Sequence, residues 1–265
     1  MPDIELVSEQ DLARTYDGGD YDDTWTVVQQ YRRVRTFAAD NPTAGVATIA
    51  AATNTPTGRV DPWVAKDTTP RAVQALYTAH EHDWIGVTYD DITPLNVLVA
   101  NVYAGGTIPR DKFEPEFTLR ADPETASVVA ALELAGVGWT ETAAGPDTSQ
   151  TVAPAQDGAV LGRVLAVLGA PVGAKTEIDN LSLPWYLEDA PESVRKRFVD
   201  SYLENRALTD PTTDSVQIME DRPQTYLAEL GDLIASVAGE PVTVGDRAVT
   251  LSASAARALG YGRDQ

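Results

Sequence analysis

Two segments, residues 98–106 and 199–207, differ in whether they carry the acids that hydrolytic chemistry requires. Carboxylates that hold two divalent ions a few ångströms apart can hydrolyse a phosphodiester. The second segment carries Asp200 and Glu204, whereas the first, Leu-Val-Ala-Asn-Val-Tyr-Ala-Gly-Gly, contains no acid. A two-metal centre would therefore lack ligands from one of its two segments.

The stretch before residue 207 gives these segments a context. Gly-Ala-Pro-Val-Gly-Ala-Lys at 169–175 is followed by Leu-Pro-Trp-Tyr-Leu at 183–187 and then by a helical run that ends at Ala207. This order and spacing resembles the second half of LAGLIDADG homing endonucleases. The resemblance implies an upstream copy of the motif helix, for which 98–106 is the candidate. Its small residues, Ala100 and Ala104, suit close contact between two helix backbones.

The resemblance also implies where a metal would be held. In the family, the Asp just before the final Gly of the motif is the ligand, and that position falls on Gly105 and Arg206 here. Glycine has no carboxylate, and an arginine side chain is always charged and has no acceptor atom. We therefore predict a nuclease-like fold without catalytic residues, metal or cofactor. Two alternatives stay open: an endonuclease that uses the displaced acids Glu204 and Asp200, and a pair of ordinary helices with glycine C-caps.

The region from Thr24 to Trp84 has a helical pattern. A first helix from Thr24 has apolar residues at helical spacing, namely Trp25, Val28, Tyr31, Val34 and Phe37. The pattern then predicts helices at 44–53 and 56–66, separated by the tight turn Asn54-Thr55, with Thr55 as N-cap, and a fourth helix from Thr69-Pro70 to Trp84. This arrangement resembles a helix-turn-helix domain, whose third helix lies in the major groove of DNA.

Charge favours the same interpretation. Residues 24–84 contain six bases and five acids, a net charge of +1, so the rest of the chain carries −21. A surface that meets phosphate explains such an exception. We predict base contacts from Thr57 and Arg59. The predicted phosphate contacts are Arg32, Arg33, Arg35, Lys66 and Lys175. A small helical domain that only docks on the second domain is the alternative.

Composition limits the class of protein. The 265 residues include 40 Asp and Glu against 20 Lys and Arg, with four lysines and no cysteine. Such an acidic, arginine-over-lysine chain is typical of a salt-loving cytoplasm, where molar salt screens the repulsion. We expect a cytoplasmic protein with no membrane partner, because no stretch approaches about 20 apolar residues. His80 and His82 indicate a polar helix end rather than a zinc site.

Together these patterns predict an α+β protein in three parts. Residues 1–23 form an acidic segment, residues 24–86 a helix-turn-helix domain, and residues 93–262 a pseudo-twofold LAGLIDADG-like saddle. Its αββαββα-type halves span about 93–170 and 171–262, and their presence in one chain predicts a monomer. The predicted function is sequence-specific binding of double-stranded DNA, as in a transcription regulator. A protein-interaction module of the same fold is the alternative, and an active endonuclease the second one.

Overall fold

The computed structural model describes residues 4–17, 23–120, 125–142, 150–209 and 215–261. The chain is mixed α+β, with two small antiparallel sheets. It divides into two compact units, one of residues 7–86 and one of residues 1–6 together with 87–265. Among the described residues, no helix is both long and apolar enough to cross a membrane.

In the described part of the 7–86 unit, all regular elements are helices. Its helices are α1 Glu9–Arg14, α2 Thr24–Asp40, α3 Val46–Thr53, α4 Thr57–Val64 and α5 Arg71–Glu81. Helix α2 packs against α3 and α4, and α1 packs against α2 and α5. Helical spacing places Val28, Tyr31 and Val34 of α2 in the core, where they are buried with Ile49 and Val60. The four predicted helices of this region are confirmed.

Some predicted boundaries were wrong. Helix α4 begins after Pro56, without a side-chain cap, instead of at an N-cap on Thr55. The Thr55 hydroxyl is buried and donates to the carbonyl of Thr53, 3.3 Å away, so it is not available as a cap. The tight turn is present, with Asn54 in the left-handed region at φ 49°. Helix α4 also ends two residues earlier than predicted, and α5 ends before His82.

Part of the acidic segment belongs to this unit. Ser8 caps α1 by accepting from the N–H of Asp11, and Asp23 caps α2 by accepting from the N–H of Trp25. The predicted Gly18-Gly19 link, with Asp20 and Asp22, lies outside the described residues, as does Asp3.

The first half of the other unit starts with a largely apolar and almost entirely buried helix. Its elements are α6 Thr93–Ala104, β1 Phe117–Thr118, α7 Ser127–Leu134, β2 Trp139–Thr142, β3 Thr151–Pro154 and α8 Gly158–Val167. The sheet order is β1-β3-β2, and an antiparallel bridge joins Thr107 to Glu116 just before β1. The sequence from Asp122 to Gly138 predicts a capped helix; residues 121–124 lie outside the described residues, and the described helix ends at Leu134, four residues earlier than predicted.

The second half repeats this order. Its elements are α9 Glu192–Arg206, β4 Leu208–Thr209, β5 Val216–Met219, α10 Gln224–Ala238, β6 Val242–Val244, β7 Ala248–Leu251 and α11 Ala253–Ala258. Its sheet order is β4-β5-β7-β6. The bridge at Thr107 takes the place of β4 beside β1, so the two sheets have matching orders. Both halves therefore read helix, two extended segments, helix, two strands, helix. The predicted turn at 209–211 lies largely outside the described residues.

Helices α6 and α9 pack against each other, as predicted for the two motif helices. Ala100, Ala104 and Ser201 are all buried in the core of this unit. Small side chains let helix backbones approach closely, so the contact follows from the sequence. Two buried amides also meet between the helices, because Asn205 Nδ2 donates to Asn101 Oδ1.

Candidate nucleic-acid interface

On one face of the second sheet, the described strand residues include no charged side chain. Alternation along the strands sends Val216, Ile218, Val249 and Leu251 into the core. The opposite, outer face presents Leu208, Gln217, Met219, Thr243, Ala248 and Thr250. Gln217, Thr250 and Thr243 stand side by side across three strands. In a chain of net charge −20, this neutral face is an exception.

The outer face of the first sheet is similar. Phe117 and Val152 pair on the buried face. The other face presents Thr118, Thr140, Thr142, Thr151 and Ala153. The nearest acid in line with this face is Glu116, in the bridge before β1. Both sheets therefore offer neutral surfaces rich in hydroxyl groups, which can donate to and accept from a partner.

The two halves meet at the C-terminal ends of α6 and α9. Gly105 follows α6, and a Cβ added there would lie 3.6 Å from the carbonyl oxygen of Thr118 in the first sheet. Arg120, just beyond β1, donates to the carbonyl of Ala207 at the end of α9, 3.2 Å away. The residues at the predicted metal positions, Gly105 and Arg206, therefore lie where the sheets begin.

A charged cluster surrounds the end of α9. Glu220 is 4 % exposed. Its carboxylate accepts from the Tyr202 hydroxyl at 2.7 Å and lies 3.1 Å from Arg206 Nε and 3.6 Å from Arg222 Nε. The Nε of Arg206 is buried and has no hydrogen-bond geometry toward any described atom, so its link to Glu220 is an ion pair only.

Lys175 completes this basic cluster, which comprises Lys175, Arg206 and Arg222 around Glu220. Its ammonium group donates to the carbonyls of Val102 and Gly106, each at 2.5 Å, and so satisfies the C-terminal end of α6. Burial lowers the pKa of Lys175 to about 8, and the two arginines lower it further in the same direction, while Glu220 opposes them. That Lys175 also contacts phosphate stays a prediction. Its structural contact with α6 was not predicted.

The two displaced acids of α9 have other partners. Asp200 accepts from Lys196 at 2.9 Å. Glu204 accepts from the backbone N–H of Ser127 at 2.9 Å, at the first residue of α7. Within the described ranges, no three His, Cys, Asp or Glu side chains are grouped closely enough to hold a metal ion.

Helices α3 and α4 present the second candidate surface. Residues 41–60 contain no acid. Thr57 is exposed at the start of α4, and Arg59 follows it, half-buried. Lys66 lies 3.4 Å from Asp61, on an exposed part of the unit. The predicted base-reading residues therefore lie together on the first turn of α4.

The three arginines of α2 contact their own unit. Arg33 donates to the carbonyl of Thr53 at the end of α3, and Arg35 donates to the carbonyl of Trp63 in α4 and to Asp67. Arg32 forms two hydrogen bonds of 2.7 Å with Glu9, which also contacts His80 at 2.7 Å. These contacts fix α2 against its neighbours. Phosphate contacts by the same arginines stay predictions.

The contacts of Glu9 make the stability of the 7–86 unit depend on pH. Hydrogen bonding from Arg32, and then from His80, lowers the pKa of Glu9 to about 2 from its ordinary 4.5. A carboxyl with a lowered pKa stabilises the folded state above pH 4.5 and loses this effect as the pH falls towards 2.

We therefore expect Glu9→Gln to reduce the free energy of unfolding by about 1–2 kcal/mol at pH 7. The difference from the parent should shrink below pH 4.5. Denaturant unfolding across this pH range measures it, with the exposed Glu81→Gln as control. If the free energies of unfolding of Glu9→Gln and the parent differed by as much at pH 3 as at pH 7, the pH dependence assigned to Glu9 would be contradicted.

No protein-family model and no curated protein matches this chain. The functional argument therefore depends on the two surfaces and the basic cluster.

Proposed function

We propose that this protein binds double-stranded DNA sequence-specifically and regulates transcription without cutting DNA. In this proposal, residues 24–86 are a helix-turn-helix domain and residues 93–262 a LAGLIDADG-like saddle whose metal centre is lost. The observation that carries the proposal is that the described strand residues on the two outer sheet faces include no charged side chain. An acidic protein that left carboxylates there would repel the phosphates of any duplex.

The repeated order of the sheets supports the saddle. In each half, a central helix is followed by two further helices and a sheet. The central helices, α6 and α9, pack against each other and so join the halves. On this arrangement, side chains such as Gln217 and Thr250 face the major groove. Glutamine pairs with the edge of adenine, and threonine contacts several bases. Sequence is then read by the sheets and by α4.

The mutual packing of α2, α3 and α4 supports the helix-turn-helix. Thr57 and Arg59 reach base edges in this proposal, because the first turn of the third helix enters the groove. Arg32, Arg33, Arg35 and Lys66 flank it and hold phosphates, which position the domain without reading sequence.

Titration of duplex DNA tests the proposal. Genomic fragments recovered with the protein supply a cognate duplex, and a scrambled duplex serves as comparison. Arg59→Ala should weaken cognate binding by about 1–3 kcal/mol, or about five- to 150-fold, and leave the scrambled duplex nearly unchanged. Arg71→Ala, an exposed arginine at the start of α5, is the matched control.

Three outcomes would contradict parts of this proposal. Equal losses on both duplexes for Arg59→Ala would show that α4 does not read sequence. No DNA binding by the parent would favour a protein-interaction module, for which the exposed Leu208 and Met219 on the outer face offer apolar contacts. Metal-dependent nicking by the purified parent would favour the endonuclease.

A further inference from the structure

The basic cluster carries more positive charge than its own carboxylate neutralises. Lys175, Arg206 and Arg222 contribute three cations, and Glu220 contributes one anion. Arg206 is the last residue of α9 and shares the Glu220 carboxylate with Arg222, and Lys175 lies at the end of α6. Among the described residues, the cluster therefore has an excess of two positive charges beside Arg206.

Partial burial of the cations strengthens the attraction of this excess positive charge for an anion. The side chain of Arg222 is only 10 % exposed and that of Arg206 32 % exposed. Charges at partly dry positions interact much more strongly with an anion than charges in water. An oxyanion that reached them would also relieve the repulsion between the three cations, which is one of the causes that lower the pKa of Lys175.

Glu220 holds the two guanidinium groups in place. Its carboxylate is anchored by the Tyr202 hydroxyl, and each arginine approaches it through Nε. This side-on approach leaves the terminal amino groups of Arg206 without a hydrogen bond to any residue that the structure describes. Terminal guanidinium nitrogens present paired donors that fit the oxygens of a phosphate.

We propose that Lys175, Arg206 and Arg222 form a fixed-cation site that binds one phosphate group of the DNA backbone. The proposal rests on DNA binding by the saddle and adds the ligand group and its contacts. The two arginines hold the phosphate oxygens, and Lys175 acts as a point charge behind them. The first half has no such site at its matching position, because Gly105 has no side chain, so the chain holds one phosphate in this way.

A structural role for the cluster predicts a different outcome. If the three cations served only to pair with the carbonyl groups at the end of α6 and with the Glu220 carboxylate, removing that carboxylate would not improve anion binding. A phosphate site predicts the opposite, since Glu220→Gln raises the net charge of the cluster from +2 to +3. Glutamine keeps an oxygen that can accept from Tyr202, which favours retention of the fold.

DNA titrations with four variants test the site. Arg206→Ala and Arg222→Ala should weaken cognate and scrambled duplexes alike, by about five- to 30-fold. Each should reduce the slope of log affinity against log salt by about one. Glu220→Gln should bind both duplexes several-fold more tightly than the parent. Arg197→Ala removes an equal charge from an exposed position nine residues earlier on α9, about 13 Å along the helix, and should change little.

Inorganic phosphate separates this proposal from the DNA-binding function. We expect orthophosphate to raise the thermal unfolding midpoint of the parent and of Arg197→Ala, relative to KCl at equal ionic strength. Arg206→Ala should lose this shift. If the parent binds DNA but Arg206→Ala and Arg222→Ala behave like Arg197→Ala, the site is wrong and the function stands.

If the parent binds no DNA, the orthophosphate result decides. A shift that Arg206→Ala loses supports the site, and equal shifts in all variants overturn it. Circular dichroism spectra that match the parent must accompany every comparison. Unchanged or weaker binding by a folded Glu220→Gln would also overturn the proposal.

Discussion

Replacing Gly162 by alanine is expected to destabilise the 87–261 unit by at least about 3 kcal/mol. A Cβ added at Gly162 would lie 1.8 Å from the carbonyl oxygen of Phe113 and 2.9 Å from its carbonyl carbon. Both are backbone atoms, so no side-chain rotation relieves the clash. Helix α8 therefore has to move away from the segment before β1, and the buried residues Leu161 and Leu165 lose their packing.

The same helix provides a matched control. Gly158, at the first residue of α8, would place a Cβ no closer than 3.5 Å to any atom, which is ordinary contact. Gly158→Ala should leave the free energy of unfolding unchanged or raise it slightly, because alanine restricts the unfolded chain. Denaturant unfolding of both variants measures the difference. Equal midpoints would contradict the close approach of α8 to Phe113.

The Phe113 segment has a second constraint. Phe113 itself lies in the left-handed region at φ 58°, which is strained for a residue with a bulky side chain. The Arg163 guanidinium stacks 3.8 Å above its ring. Neither feature could be predicted from the sequence, because both depend on how α8 docks against a loop about 50 residues earlier.

Helices were predictable because their signals are local. The spacing of Trp25, Val28, Tyr31, Val34 and Phe37 depends only on α2, and α6 consists mostly of apolar residues. Short strands were harder. Strand β2, Trp-Thr-Glu-Thr, has no buried alternation, and its pairing with β3 makes it a strand. The sequence of residues 140–158, which has no periodicity, accordingly predicts only a strand-and-loop region.

Site residues that a local motif marks could be predicted, whereas their partners elsewhere in the chain could not. Positions such as Thr57 and Arg206 could be chosen because motif spacing marks them. Glu220 and Arg222 were missed, since they lie 14 or more residues from Arg206 along the chain. One signal was present: an arginine at the end of a largely buried helix needs a counter-charge. Glu9 was missed as the partner of Arg32 for a similar reason.

The second large loss of stability is expected when the buried amide pair between α6 and α9 is removed. Asn205 donates to Asn101, whose own amide group donates to the carbonyl of Val97 at 2.9 Å. Asn101 is 1 % exposed, so its removal leaves the Asn205 amide in an interior with little water. An unpaired buried polar group costs about 1–3 kcal/mol, and a cavity adds to this. We expect Asn101→Ala to reduce the free energy of unfolding by about 2–4 kcal/mol.

A double-mutant cycle isolates the pair. Asn205→Ala alone should also destabilise the unit, but the double variant should cost about 1–2 kcal/mol less than the two single losses together. Asn96 is the matched control, because it lies five residues before Asn101 on α6 and bonds instead to Val194 and Tyr186. Losses for Asn96→Ala and Asn205→Ala should add within about 0.5 kcal/mol.

Denaturant unfolding gives the free energies, and hydrogen exchange of α6 and α9 amides reports this unit separately from the 7–86 unit. Because α6 and α9 join the two halves, loss of the pair should speed exchange in both helices together. Additive losses for Asn101→Ala and Asn205→Ala would show that the two amides stabilise their own helices independently. The Asn101–Asn205 hydrogen bond would then add nothing to the attachment of the two halves.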